Sequence, residues 1–237
     1  EFDGAAARLD PLVRDLSARE DEFLALGIYD QIRTLRLDIT LTRSWVNYYI
    51  GLLETDEATR TAALQAAQAG FRELIDSAYV GRMIYRCFLG LGVSLRELRQ
   101  FDEAVRALNN VPRYGAAAAA ADGEDPADGV DISLQVQVRC ELARLLLAQG
   151  KFEEARAELA PLAERDLDTL RNEERPATFY FNLAVILDAA SYLQEAEQIR
   201  AQAEGHRSAR SLLANAERIR ARGVGKFQRL ALRGGGW

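Results

Sequence analysis

Three segments of this 237-residue chain carry the same spacing of small and apolar residues. In each, a small residue preceded by leucine is followed, twelve residues later, by the alanine of a Glu-Ala pair. Apolar residues three and four positions away favour helices, and a small residue at a fixed place lets two helices approach closely. The repeated pattern therefore predicts helix-turn-helix units stacked on one another. The paired small residues are Gly92 and Ala104, Ala143 and Ala155, and Ala184 and Ala196.

Two short segments define this unit most clearly. Residues 149–155 read QGKFEEA at the turn between two helices, and residues 181–184 read FNLA within a first helix. Both resemble the tetratricopeptide repeat family. The resemblance covers residues 85–204 and implies an all-α, helix-turn-helix repeat solenoid. The solenoid is expected to be irregular, because intervals of 51 and 41 residues separate successive units, whereas about 34 residues are usual in the family. An insertion at residues 113–131 accounts for the first excess.

A long apolar stripe runs through the N-terminal region. From residue 12 onward, apolar residues recur at helical spacing and predict one helix of about 40 residues if Gly27 does not break it. A second helix is expected over residues 56–76. We expect it to cover residues 39–53, because Gly51 and Ala63 mark a weaker fourth copy of the repeat there, and we expect residues 12–32 to be available for self-association. The main positions of the stripe are Ile28, Ile32, Leu35, Ile39, Val46, Tyr49 and Leu53.

The C-terminal tail is basic although the whole chain has a net charge of −6. Residues 205–237 contain eight arginines or lysines against one acidic residue, Glu217. Apolar residues at helical spacing predict a helix that caps the open end of the solenoid with its apolar side. The chain thus divides into a long N-terminal helical segment (1–54), helical repeats (55–204) and a basic capping helix with a tail (205–237). The apolar positions of the capping helix are Leu212, Leu213, Ala216 and Ile219.

Residues that catalytic and cofactor sites require are scarce. The single histidine, His206, excludes zinc sites built on two histidines. Two cysteines, Cys87 and Cys140, are too few for a disulfide framework and favour packed thiols. Residues 223–227 lack the first glycine and the hydroxyl residue of a phosphate loop, and the acidic residues of the insertion do not follow the order of an EF-hand. We therefore expect no cofactor, no metal and no enzyme activity.

The composition is that of a folded protein, with 49% hydrophobic and 28% charged residues. The longest apolar runs are shorter than the roughly 20 residues that span a bilayer, so no transmembrane segment is expected. The chain starts at Glu1 with neither a methionine nor a leader, which predicts a piece of a longer polypeptide. Its compartment is not readable from the sequence.

A repeat module without chemistry of its own is expected to act by binding. The resemblance implies a concave groove lined by the first helices, and hence a non-catalytic scaffold that binds a protein or peptide partner. Arginines on matched faces of successive helices can form a ladder for carboxylates. Nucleic acid is not an expected partner, because no aromatic platform accompanies the basic residues of the tail. The predicted peptide-binding residues are Arg86, Arg96, Arg144, Phe181 and Asn182.

Two alternatives stay open at this point. In the first, the arginines of the groove pair with its own carboxylates, Glu97, Glu141 and Asp188, and are not free for a partner. In the second, the chain is an oligomerisation or assembly module, in which the N-terminal stripe forms a coiled coil between copies of the chain.

Overall fold

The computed structural model describes residues 2–77, 84–121, 132–166, 170, 172–204, 206 and 208–233. In these residues the regular structure is helical and no strand occurs, so the all-α prediction is confirmed. None of the described helices combines the length and the apolar character that a membrane span needs. The helices are α1 (Phe2–Ala18), α2 (Glu20–Ala25), α3 (Tyr29–Leu53), α4 (Glu57–Asp76), α5 (Ile84–Glu97), α6 (Phe101–Ala121), α7 (Ile132–Ala148), α8 (Phe152–Ala163), a 3₁₀ helix (Asn172–Ala177), α9 (Thr178–Ala203) and α10 (Ala209–Arg233).

The chain forms two compact units, residues 1–129 and 130–237. In the N-terminal unit, α3 packs on α4, α4 on α5, and α5 on α6, while α1 packs on α3. In the C-terminal unit, α7 packs on α8, both pack on α9, and α9 packs along α10. The division falls inside the predicted insertion at 113–131, whereas the predicted segment boundaries at 54 and 204 lie within units. Residues 122–131 of that insertion, with its acidic cluster, lie outside the described residues.

The N-terminal stripe is not one long helix. The chain turns at Gly27, whose φ of +68° is a left-handed conformation that glycine adopts without a Cβ penalty. The Ile28 N–H donates to the Phe23 carbonyl at 3.1 Å and the Gly27 N–H to the Leu24 carbonyl at 3.1 Å. This pair of bonds is the Schellman motif that ends a helix. The predicted helix of about 40 residues is therefore wrong, because Gly27 does break it and α1 folds back on α3.

The predicted helix at 56–76 is confirmed as α4, and Asp56 caps it by accepting a hydrogen bond from the Thr59 N–H at 2.9 Å. It folds back along α3, as predicted for residues 39–53. Gly70 lies against Ser44, Gly51 lies against Leu64, and the Phe71 ring packs edge-on against Trp45 at 5.2 Å. The predicted stripe is only partly covered in this half, because Tyr49 and Leu53 are 46% and 68% exposed. The residues of α3 that are fully buried are Leu37, Thr40, Leu41, Ser44, Tyr48 and Gly51.

Two of the three predicted helix pairs are present, α5 with α6 and α7 with α8. Their turns have the same geometry, because Arg99 and Gly150 both have positive φ, at +59° and +73°. The Gln100 N–H donates to the Leu95 carbonyl at 2.9 Å, and the Lys151 N–H to the Leu146 carbonyl at 2.8 Å. Both turns are Schellman motifs placed five residues before the second small residue of the unit.

The helix pair α3 and α4 repeats one contact of α5 and α6. A Cβ on Gly92 would lie 2.6 Å from the Leu108 Cγ, and a Cβ on Gly51 would lie 2.6 Å from the Leu64 Cγ. Because Leu108 follows Ala104 by four residues and Leu64 follows Arg60 by four, the residue of α4 that matches Ala104 is Arg60. Gly51 thus makes the same contact as Gly92, and the residue matched to Ala104 is Arg60, not the predicted Ala63.

The third predicted unit has no turn. Residues 178–203 form the continuous helix α9, and Leu193 to Ala196, expected to open a second helix, lie in its middle. The position that corresponds to Arg99 and Gly150 is Ser191, which is buried, and its hydroxyl donates to the Asp188 carbonyl at 2.6 Å within the helix. Neither glycine nor a positive φ interrupts the chain there. The small residues Ala184 and Ala196 are buried as predicted, but in one helix.

Replacing Arg99 with glycine is expected to raise the free energy of unfolding by about 0.5–1 kcal/mol. A left-handed residue with a side chain costs about 1–2 kcal/mol, and the greater freedom of glycine in the unfolded chain offsets part of the gain. The Arg99 side chain is exposed, so its removal leaves the core intact. Urea denaturation followed by far-UV circular dichroism measures the change.

The control is Arg106→Gly, which makes the same replacement at an exposed position inside α6. There, glycine lowers the stability by about 1 kcal/mol because it weakens the helix. Equal losses of stability in the two variants would contradict the role of the Arg99 turn.

Candidate anion-binding surface on the C-terminal helices

The predicted peptide-binding residues of the N-terminal unit lie on α5. Arg86 is exposed, as a binding residue would be. Arg96 is mostly buried, and its Nε and Nη2 donate to the Glu97 Oε1 at 3.1 and 2.8 Å. Glu97 also accepts a hydrogen bond from Arg60 on α4, at 3.3 Å. The charge of Arg96 is therefore neutralised within the unit, as the first alternative predicts.

The predicted residues of the C-terminal unit lie on α7 and α9. The Arg144 Nη1 donates to the Glu141 Oε1 at 3.0 Å, again as the first alternative predicts. Asn182 is half-buried. Phe181 is only 2% exposed and belongs to the core of this unit, where it packs with Cys140, Ala143 and other residues. Phe181 as a peptide contact is therefore wrong, because its ring fills the interior.

The candidate reactive groups take structural roles. Cys87 and Cys140 are buried, and burial raises the pKa of both thiols to about 12, so they are neutral and poor nucleophiles at physiological pH. Cys140 donates a weak hydrogen bond to the Tyr180 carbonyl at 3.5 Å. His206 is exposed, and its Nδ1 accepts from the Ser208 N–H at 3.2 Å just before α10. Residues 223–227 lie inside α10 and form no loop.

The basic tail forms α10, a helix of 25 residues that packs along α9. Ala216 is fully buried, and Leu212 and Ile219 are half-buried, as expected for a helix that docks by its apolar side. Leu213, also predicted on that side, is exposed. The two helices approach closely at Gly223, where a Cβ would lie 2.9 Å from the Ala189 carbonyl oxygen. This seam fixes which face of α10 is turned to solvent.

The exposed side of α10 carries a stripe of arginines. Arg218, Arg222 and Arg229 are four and seven residues apart, which places them on one face of the helix. All three are exposed. Within the part of the chain that the structure describes, none of them has a carboxylate partner, and Arg218 bonds only to Asn215. We call Arg218, Arg222 and Arg229 the α10 arginine stripe.

The acidic groups near this stripe are already occupied. Glu217, the one acidic residue of α10, pairs with Arg200 of α9 and lies 3.7 Å from Arg220. The bond from Arg200 lowers the pKa of Glu217 below its usual value, so this carboxylate is charged at neutral pH. Asp188 of α9 is buried and pairs with Lys226. The positive charge of the stripe is consequently not compensated by these groups.

An open cleft of about 570 Å³ lies where the stripe meets α9, lined by Tyr192, Ala221, Arg222, Gly225, Lys226 and Arg229. The Tyr192 ring lies 5.1 Å from the Lys226 Nζ and 4.5 Å from the Arg156 guanidinium carbon. These cation–π contacts hold the aromatic floor of the cleft in place. Arg222 and Arg229 line this concave surface without a carboxylate partner among the described residues, so they create an attractive potential for anions there.

Comparisons of the chain with models of protein families, with curated proteins and with solved structures found no match. The tetratricopeptide resemblance therefore rests on the repeat residues themselves and stays a prediction. Among the described residues, no group of three or more His, Cys, Asp or Glu side chains could hold a metal ion.

The sequence analysis identified the basic tail but not this binding surface. The spacing of Arg218, Arg222 and Arg229 could have predicted that the three arginines share one face of a helix. The place of Tyr192 beside them could not have been predicted, because it depends on the packing of α9 against α10.

Proposed function

We propose that this protein is a non-catalytic helical interaction module that binds an acidic polypeptide segment of a partner through the α10 arginine stripe. The observation that carries the proposal is the combination of three exposed, uncompensated arginines on one face with a cleft beside Tyr192. Arginine pairs with carboxylates through two parallel hydrogen bonds, which gives orientation as well as attraction. The site thus replaces the predicted groove, whose residues Arg96 and Arg144 are paired internally.

The surroundings of Tyr192 favour a polypeptide over a nucleic acid. Single-stranded nucleic acids need open aromatic faces on which bases stack. The Tyr192 ring is already in contact with Arg156 and Lys226, and it is half-buried. Carboxylates need only the guanidinium groups, so glutamates or aspartates four and seven residues apart on a partner helix match the spacing of the stripe.

The test is the binding of a fluorescein-labelled oligoglutamate peptide, followed by fluorescence anisotropy at low and at physiological salt. Changing Arg218, Arg222 and Arg229 together to alanine is expected to weaken binding by roughly tenfold to a hundredfold, since each exposed pair contributes about 0.5–1 kcal/mol. The variant is also expected to have a smaller salt dependence, because fewer ions are displaced by the complex.

The matched control changes Arg14, Arg33 and Arg106 to alanine. These residues are exposed and lie in the N-terminal unit, and their replacement removes the same charge. The control triple is expected to keep nearly full affinity. An equal loss in both triples would show attraction by net charge without a site, and tighter binding of an oligonucleotide of the same charge would replace the acidic polypeptide by nucleic acid.

A further inference from the structure

A row of five apolar side chains and one threonine on α3 is only partly covered in the folded unit. It consists of six residues alternately four and three positions apart, and we call it the α3 stripe. None of them is fully buried, and the exposed fractions of Leu35, Tyr49 and Leu53 are 48%, 46% and 68%. The row extends about 28 Å along the helix at 1.5 Å per residue. The members are Leu35, Ile39, Thr42, Val46, Tyr49 and Leu53.

The spacing of the α3 stripe is that of a heptad repeat. Ile39, Val46 and Leu53 occupy the a positions, and Leu35, Thr42 and Tyr49 occupy the d positions. The residues that the unit buries fall at the b, c and f positions, which form the outer face of a coiled coil. The helix therefore has two separate apolar faces, of which one packs on its own unit and the other has the register for a partner helix.

We propose that two copies of this chain associate through a parallel, two-stranded coiled coil of their α3 helices. β-branched residues at a positions, here Ile39 and Val46, favour two parallel strands. A second copy supplies an identical stripe, so each a and d residue meets its own counterpart in the partner. This proposal is independent of the function proposed for α10, because it concerns another surface in another unit.

The charges beside the stripe agree with the parallel orientation. In a parallel pair, a residue at g lies beside the residue five positions later at e of the partner. Asp38 is at g and Arg43 at e, so each carboxylate comes near an arginine of the second copy. In its own chain the half-buried Arg43 also lies 3.9 Å from the exposed Glu73. In an antiparallel pair, e faces e, and Arg36 and Arg43 would meet as like charges.

The folded unit lowers the cost of association. An isolated helix of this length is only marginally stable in water, because nucleation is unfavourable. Here α3 is already held by α1, α4 and α5, so a partner helix meets a formed surface. Thr42, a polar residue at d, lowers the affinity but favours the register in which the two threonines meet. We therefore expect a dimer in the micromolar range.

The first experiment measures the mass of the chain by size-exclusion chromatography with light scattering across the micromolar range. The expected mass approaches twice the 26.3 kDa of one chain. Changing Leu35 and Tyr49 to glutamate places like charges at two d layers and is expected to leave only monomer. Because both residues are exposed, circular dichroism of this variant is expected to match that of the wild type. Leu213→Glu, at an exposed leucine of α10, is the control and keeps the dimer.

The second experiment tests the orientation. A Thr42→Cys variant is expected to form a disulfide between copies under mild oxidation, because equivalent d positions of a parallel pair lie close enough for this bond. The native Cys87 and Cys140 are buried and stay reduced. Gln65→Cys, exposed on α4, is the control and is expected not to cross-link. A monomeric wild type at all concentrations, a dimer that survives the two glutamates, or a Thr42→Cys dimer that forms no disulfide between copies would each overturn the proposal.

Discussion

Phe181→Ala is expected to lower the stability of the C-terminal unit by about 3–5 kcal/mol. The ring lies in the core of that unit with residues from α7 and α8, and removal of the ring loses its burial and leaves a cavity. A domain is typically stable by only about 5–15 kcal/mol, so the loss is a large fraction of the total. The matched control is Phe179→Ala two residues earlier, where the ring is 68% exposed. That change is expected to stay within about 0.5 kcal/mol.

The buried thiols allow this loss to be assigned to one unit. Cys140 lies in the same core as Phe181, and Cys87 lies in the N-terminal unit. Both react slowly while buried, so the labelling rate of each cysteine under a thiol reagent reports the opening of its own unit. In Phe181→Ala we expect faster labelling of Cys140 and an unchanged rate at Cys87. If Phe181→Ala kept its stability but lost affinity for the acidic peptide, Phe181 would belong to the binding surface and not to the core.

Local patterns were enough to predict the helix pairs α5 with α6 and α7 with α8. Their small residues sit at the contacts, and their turns end in a left-handed residue, a geometry set by a few neighbouring residues. In the segment around Ser191 the same spacing of small residues occurs without such a residue, and the helix continues. The spacing of Ala184 and Ala196 is therefore compatible with both outcomes, and the turn decides between them.

The predicted stripe did not identify the side of α3 that the unit buries. That side carries the large residues Leu37, Leu41 and Tyr48. It also carries Ser44 and Gly51, whose small size admits Gly70 and Leu64 of α4 and to which a pattern of large side chains gives no weight. A hydrophobic repeat shows that a helix has an apolar face without showing which partner covers it.

The candidate binding site depended on pairs that are distant in sequence. Arg96 and Arg144 lie close in sequence to the carboxylates that neutralise them, and that alternative was open on the sequence alone. The pairs of Lys226 with Asp188 and of Arg200 with Glu217 form only when α10 folds along α9. These contacts determine which cations of the tail remain free, and they are a consequence of the tertiary fold.

Gly90→Leu is expected to destabilise the N-terminal unit by about 1–3 kcal/mol or more, which is the usual cost of overpacking a core. Gly90 lies against the face of Phe71, where even a Cβ would be 2.7 Å from the Cε2 and closer still to other ring atoms. The Phe71 ring, on α4, is fully buried and packs edge-on against Trp45 at 5.2 Å. Moving the ring aside would therefore disturb other core contacts.

A second substitution separates this clash from the effect of losing a glycine. Phe71→Ala alone is expected to cost about 3–5 kcal/mol through the cavity that it leaves. In the double variant, the leucine at position 90 enters the space of the missing ring, so the combined loss of stability is expected to be smaller than the sum of the two single losses.

Gly225→Ala is the control, because nothing lies within 4 Å of a Cβ there. In the middle of α10 that change is expected to raise the stability by up to about 1 kcal/mol. Urea denaturation measures the stability of all four variants, and the labelling rate of Cys87 assigns the losses at Gly90 and Phe71 to the N-terminal unit. Strictly additive losses at Gly90 and Phe71 would show that the two positions do not share one space and would contradict the packing of α4 on α5.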